Sequence, residues 1–92
     1  MKDFSIELFN QDDEKEFKKF YKKQHDSTLQ MIQEVVKDER ESDKITKECF
    51  EIIRIKKNKS YKSYEDIIKD LATTANNKLV EYKQYQRMRP DL

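Results

Sequence analysis

DERESDKITKECFEIIRIKKN, Asp38 to Asn58, decides how this 92-residue chain is read. The stretch opens with charged and small polar residues and then carries Ile45, Cys49, Ile52 and Ile53 at helical spacing, the repeat of a helix with a buried stripe. Asp38 is placed to cap that helix, and Glu39 and Glu41 fall in its first turn, where negative charge complements the helix dipole. The helix is expected to run to about Lys57. Phe50 and Ile55 broaden the stripe beyond what one partner helix requires, which predicts packing inward on one side and docking of a protein on the other.

Toward the C-terminus, Asn58 to Ser63 reads as a polar loop. Ser63 to Asp66, SYED, resembles a capping box with aspartate in place of the usual glutamate or glutamine, and starts a last helix. Ile67, Leu71, Ala75, Leu79 and Tyr82 recur along it every three or four residues as a core-facing stripe, and Pro90 is expected to stop it at Arg89. Toward the N-terminus, a helix from about Thr28 to Lys37 shows Leu29, Ile32, Val35 and Val36 on one face, with Met31 beside them. His25, Asp26 and Ser27 read as an interruption, with Asp26 or Ser27 as that helix's cap. An earlier helix from about Asp13 to Gln24 places Phe17, Phe20 and Tyr21 together. Lys18, Lys19, Lys22 and Lys23 fall away from this stripe and read as a solvated face with charge pairs rather than a phosphate-binding patch. Phe4 to Phe9 is a short mixed segment, and Asn10 to Asp13 offers capping side chains.

With no glycine and one proline, almost nothing interrupts helix, and few turns with positive φ are expected. The expected fold is therefore all-α, a compact bundle of about four helices forming one domain over residues 1–92, with its core at about 13–89. Charged residues make up 42% of the chain and hydrophobic ones 35%, but the apolar residues are periodic, which separates this sequence from a disordered one. The net charge of +1 conceals an asymmetry: Met1 to Ile55 holds 11 basic and 14 acidic side chains, Lys56 to Leu92 holds 9 and 5. Any nucleic-acid contact is thus expected in the C-terminal part. A single cysteine, Cys49, excludes an intramolecular disulfide, and no apolar run approaches the ~18 residues of a membrane span. The expected location is the cytoplasm, with no membrane partner.

No catalytic constellation emerges. His25 is the only histidine and sits at the apparent helix junction, and one histidine with one cysteine makes no zinc site of ordinary spacing. Without glycine there is no phosphate-cradling loop. The carboxylates are interleaved with lysines at helical spacing, as in surface ion pairing. The expectation is a binding protein, not an enzyme, without metal or cofactor.

Val35 to Phe50, VVKDERESDKITKECF, resembles the second conserved region of bacterial RNA polymerase sigma factors, closest to the extracytoplasmic-function group. Ser42 to Phe50, SDKITKECF, fills that family's Ala-Glu-Asp-Leu-x-Gln-Glu-x-Phe element. Phe17 to Tyr21, FKKFY, is similar to its opening Phe-x-x-Leu-Tyr. Ala75 to Tyr82, ANNKLVEY, is similar to its Ala-Arg-Asn-x-x-x-Asp-Tyr and is followed by Arg87 and Arg89. The resemblance spans about Phe17 to Arg89 and departs at Lys44 for the family's aspartate, Lys47 for its glutamine, and Arg54 where a tryptophan is expected.

The resemblance implies two partners. Core RNA polymerase, through a coiled coil of its largest subunits, would meet Lys44, Ile45, Lys47, Glu48 and Ile52, with charge altered at Lys44 and Lys47. Promoter DNA, as the single-stranded minus-ten element, would meet the loop and the last helix. An anti-sigma protein would be a further partner. The loop chemistry is compatible with strand capture, since Lys56, Lys57, Lys59 and Lys62 can follow phosphates, Tyr61 can stack an unpaired base, and the Asn58 amide can bond a base edge. Without the resemblance, a solvated lysine-rich loop with Tyr61 and Tyr64 packed beneath it is the favoured reading. Asn77, Lys78, Gln84 and Arg87 are the strand-contact candidates on the last helix. A second helix-turn-helix domain for the minus-thirty-five element is not expected within this length. The alternative is a helical interaction module that binds protein only, as a polymerase-binding adaptor or inhibitor.

Overall fold

The computed structural model describes residues 4–56 and 59–87. Its elements are α1 (Ile6–Asn10), α2 (Glu14–Val36), α3 (Glu39–Ile55) and α4 (Tyr64–Arg87), with no strand among the described residues. Three of the helix starts are fixed by side chains that accept an otherwise unpaired backbone N–H. Ser5 Oγ accepts from Leu8 N (3.2 Å), Asp13 Oδ1 from Glu16 N (3.0 Å) and Asp38 Oδ1 from Glu41 N (2.9 Å). At α4 the capping box is shifted by one residue. Asp66 N donates to Ser63 Oγ (3.2 Å), while the Asp66 carboxylate accepts from Lys62 N (3.1 Å) rather than from Ser63 N.

Two elements differ from the sequence expectation. Phe4 to Phe9 is not irregular: Ile6–Asn10 forms the short α1, which buries Phe9. The predicted break at His25 to Ser27 does not exist, because α2 runs unbroken from Glu14 to Val36. Asp26 and Ser27 are exposed mid-helix residues, Ser27 Oγ turning back to the Gln24 carbonyl (3.3 Å). Continuity is favoured by packing on both sides of the apparent junction: Tyr21 and His25 lie against the Phe50 ring, and Thr28 is buried one turn on. Local hydrogen-bonding preference of Asp and Ser yields to those contacts. The real end of α2 is Lys37, whose φ of 64° is left-handed and whose N–H bonds the Gln33 carbonyl at 3.2 Å. In a chain without glycine, Lys37 and Asp12 (φ 65°) take the positions where glycine is ordinarily favoured.

α3 packs on both α2 and α4, and α2 also touches α4. That explains the breadth of the α3 stripe: it serves two neighbours inside the bundle. Ser42, Ile45, Thr46, Cys49, Phe50 and Ile53 are all buried. Ile55, expected to widen this face, is instead 64% exposed. α3 runs antiparallel to α2, with Tyr21 against Phe50 (ring centroids 4.8 Å) and the Arg54 guanidinium over Phe17 (5.8 Å). α4 runs parallel to α2: Gln24 Nε2 donates to Tyr64 Oη (3.0 Å), and farther along Met31 shares a shallow groove with Ile68 and Ala72. The core is completed by Phe9, Phe20, Ile32, Val36, Ile67, Leu71, Ala75 and Leu79. Phe4, Phe17, Tyr21, Tyr61, Tyr64 and Tyr82 are half-buried against it, and all but Tyr82 cluster with Phe9, Phe20 and Phe50 toward the loop end. None of the described helices is long and apolar enough to cross a membrane.

Candidate nucleic-acid interface

The outward side of α3 follows from its inner one. With Ser42, Ile45, Thr46 and Cys49 buried, residues between them must face away, and Arg40, Asp43, Lys44, Lys47 and Glu51 are exposed. Lys44 and Lys47 therefore stand where a docking partner could reach them. Glu48 and Ile52 are half-buried at the edges. Ile45 is 5% exposed and belongs to the core, so as it stands it supports the neighbouring side chains rather than presenting itself.

The loop before α4 differs more from expectation. Lys59 was expected to follow phosphates, yet its side chain is 3% exposed. Its ammonium is paired with Asp12, donates to the Arg54 carbonyl (2.8 Å) and lies 5.5 Å from the Phe9 ring centroid. It ties the loop to α1 and to the end of α3, with its charge neutralised there. Tyr61 was expected to stack a base, but its ring packs edge-on against Phe9 and its hydroxyl donates to Asp70, which also pairs with Lys56. Burial, reinforced by the Asp70 carboxylate, pushes the Tyr61 phenol well above its ordinary range. Burial alone would raise the Asp70 carboxyl, but hydrogen bonds from Lys56 and Tyr61, with the Lys56 charge, outweigh it and hold the carboxyl below its usual value. The loop backbone is held too: Asn10 Nδ2 donates to the Tyr61 carbonyl (2.9 Å) and Asn10 Oδ1 accepts from Tyr61 N (3.1 Å). Lys62 alone of the described loop candidates stays exposed without an ion pair to a described carboxylate. Lys57 and Asn58 lie outside the described residues, as do Arg89 and Pro90.

α4 presents a more coherent surface. Ile67, Leu71, Ala75 and Leu79 point inward, so the opposite side is set by residues 69, 73, 76, 80, 83 and 87, again three and four apart. Lys69, Thr73, Asn76, Val80, Lys83 and Arg87 are all exposed, with Asn77 and Gln84 beside them. Between Lys69 and Arg87 this face carries three amides and three cations; the exposed Glu65 stands one turn before Lys69 on the same row, and the exposed Glu81 borders Asn77 and Gln84. Of the sequence candidates, Asn77, Gln84 and Arg87 join it, whereas Lys78 is half-buried on the flank, 4.0 Å from Glu81. Lys69, Asn76 and Lys83 were missed by the sequence reading. The signal that finds them is the period of the polar residues, complementary to the apolar one.

Between α3 and the end of α4 lies a groove of about 750 Å³ of opposite character, lined by Asp38, Glu41, Glu48 and Glu81 with Lys44, Lys78, Ile45, Tyr82 and Tyr85. Elsewhere, burial pushes the Cys49 thiol up to about 11, leaving it a poor nucleophile. The described residues contain no cluster of three metal-ligating side chains. No family model, curated protein or solved structure matches this chain.

Proposed function

We propose that this chain is a transcription-initiation module resembling sigma region two, which docks core RNA polymerase through the outward side of α3 and holds the minus-ten promoter strand on the outward face of α4. The observation that carries the reading is that face: from Lys69 to Arg87, over five helical turns, amides able to bond base edges alternate with cations able to follow phosphates, with Glu65 before the run and Glu81 at its edge. Lys44, Lys47 and the edge residue Glu48 are the polymerase-facing groups. With Lys59 and Tyr61 engaged internally, the loop acts here as a rigid brace that fixes the start of α4, and Lys62 is its described phosphate contact. No chemical step belongs to the domain; selectivity comes from capturing bases that have left the stack.

The test is binding of a fluorescent single-stranded minus-ten oligonucleotide in the presence of core polymerase, with Asn77→Ala/Arg87→Ala beside the parent chain. Sequence-selective capture, weakened at least tenfold by the double variant, is the expected result. Polymerase binding without any DNA selectivity would remove the DNA half of the proposal, and binding to neither would remove both.

One observation favours a protein-only adaptor as the second reading. The α3–α4 groove sets four carboxylates and two lysines around two tyrosines, a net negative surface better matched to basic peptide segments than to nucleic acid. Under that reading the Asn77→Ala/Arg87→Ala variant binds polymerase as the parent does.

A further inference from the structure

The outer face of α2 holds a charge cluster that neither the bundle nor the proposed function uses. Lys15, Lys18, Lys22 and Lys23 are exposed, and none forms an ion pair with a described carboxylate. Of the charge pairs expected on this face, Lys19 with Glu16 is formed, and the other lysines are left without one for a structural reason. The carboxylate within the run is Glu16, and it is buried, accepting from Lys19 Nζ (2.8 Å) and from the Ser5 N–H (2.9 Å). Glu14, at the edge, is bound to Arg54 across the helix interface (2.8 Å). The lysines meanwhile stand three and four apart, Lys15 with Lys18 and Lys18 with Lys22, where like charges on a helix repel. Folding thus gathers positive charge along about 12 Å of helix, from eight steps of 1.5 Å, and the exposed carboxylate one turn beyond it, Asp26, contacts His25 (3.1 Å) rather than a lysine.

We propose that this lysine face is a second anion-binding surface, separate from the α4 face, and that it contacts the phosphodiester backbone of duplex DNA without reading sequence. The proposal goes beyond the sigma-like reading and does not rest on it. A duplex presents about one charge every 1.7 Å of axis, so a 12 Å row of ammonium groups can meet several phosphates at once. The near-neutral total charge is no obstacle, because at physiological ionic strength fields decay over about 8 Å and the local patch governs. An anionic membrane is the less fitting occupant. Surface helices bind membranes by burying an apolar face, and the apolar face of α2 is inside the bundle. Lys62 adds charge at the same end of the molecule, since Gln24 bonds Tyr64 two residues beyond it.

The experiment measures binding of the full chain to a 25-base-pair duplex of arbitrary sequence by fluorescence anisotropy across a potassium chloride series, without polymerase. The parent is compared with the quadruple variant Lys15→Gln/Lys18→Gln/Lys22→Gln/Lys23→Gln, with the corresponding quadruple arginine variant, and with the Asn77→Ala/Arg87→Ala variant. Each lost phosphate contact lowers the slope of log affinity against log salt by about 0.9. The glutamine variant is expected to lose about 2 to 4 from the slope and at least tenfold in affinity at low salt, with the arginine variant close to the parent. A thermal midpoint at or above the parent's shows that the fold is intact, as expected when like-charge repulsion is removed. Unchanged affinity and slope in the glutamine variant, no binding by the parent, or binding only to phosphatidylserine vesicles would each overturn the proposal. Failure here leaves minus-ten capture with polymerase unaffected, so the two readings fall separately.

Discussion

Single residues show how far charge in this chain is put to structural use. Glu16 is 4% exposed yet ionised: the Lys19 hydrogen bond, then the Ser5 N–H, lower its pKa against the opposing effect of burial. Asp70 is lowered in the same sense. Both groups bind protons more tightly unfolded than folded, so the stability they contribute is complete above the ordinary carboxyl values of 4.5 and 3.8 and is lost as pH falls below them toward the folded values. Glu16→Gln is therefore expected to flatten the acid limb of a plot of thermal midpoint against pH below about pH 5, while changing the midpoint near pH 7 downward. The buried Cys49 thiol is expected to resist iodoacetamide in the native protein at pH 8 and to react once denatured, which mass spectrometry reads directly. Some of this scale was legible in sequence. Asp38 announced itself as a cap because its partner lies three residues away. Lys59 could not announce itself, because Asp12 is 47 residues distant and nothing local distinguishes a buried, paired lysine from a solvated one.

Among the elements, the unbroken α2 is the main departure from the sequence pattern. His25, Asp26 and Ser27 have the local chemistry of a helix start, and propensity alone favours a break there. The two interpretations differ in sign for one substitution. A capping Asp26 replaced by alanine would cost about 1 kcal/mol, whereas an exposed mid-helix Asp26 replaced by alanine should stabilise by about 0.5 kcal/mol. The second outcome is expected in urea denaturation. At the end of α2, Lys37 adopts left-handed geometry that costs a side-chain-bearing residue roughly 1 kcal/mol. Lys37→Gly is accordingly expected to raise the denaturation midpoint, by somewhat less than that because glycine gains freedom when unfolded. The stripes of α3 and α4 were legible because their core contacts repeat within the helix itself. The breadth of the α3 stripe was legible too, but its cause was not: a second partner helix and an external docking surface look alike until α4 is placed.

At the scale of the whole molecule, three long helices form the body and α1 locks the loop end. The bundle class could be read from periodicity and from the missing glycine, but the locking could not, since the links from α1 to the loop span about fifty residues. Asn10 bonds both polar groups of the Tyr61 backbone, and Phe9 touches the Phe4, Phe17, Phe20 and Tyr61 rings. Asn10→Ala removes two part-buried hydrogen bonds and is expected to cost about 2 kcal/mol, with faster amide exchange at Tyr61 as its local sign. The candidate site divides along the same line: the α4 face follows from local period, while the fate of Lys59 depends on α1 and the turn that follows it. This long-range clasp also has a consequence in time. Tyr61 follows Asn10 by 51 residues, so at 5–20 residues per second a ribosome takes roughly 3–10 s to supply the second half of the clasp after the first. For that interval Phe9 lacks its Tyr61 neighbour, and the nascent chain offers an aromatic surface that chaperones can occupy before the loop arrives to close it.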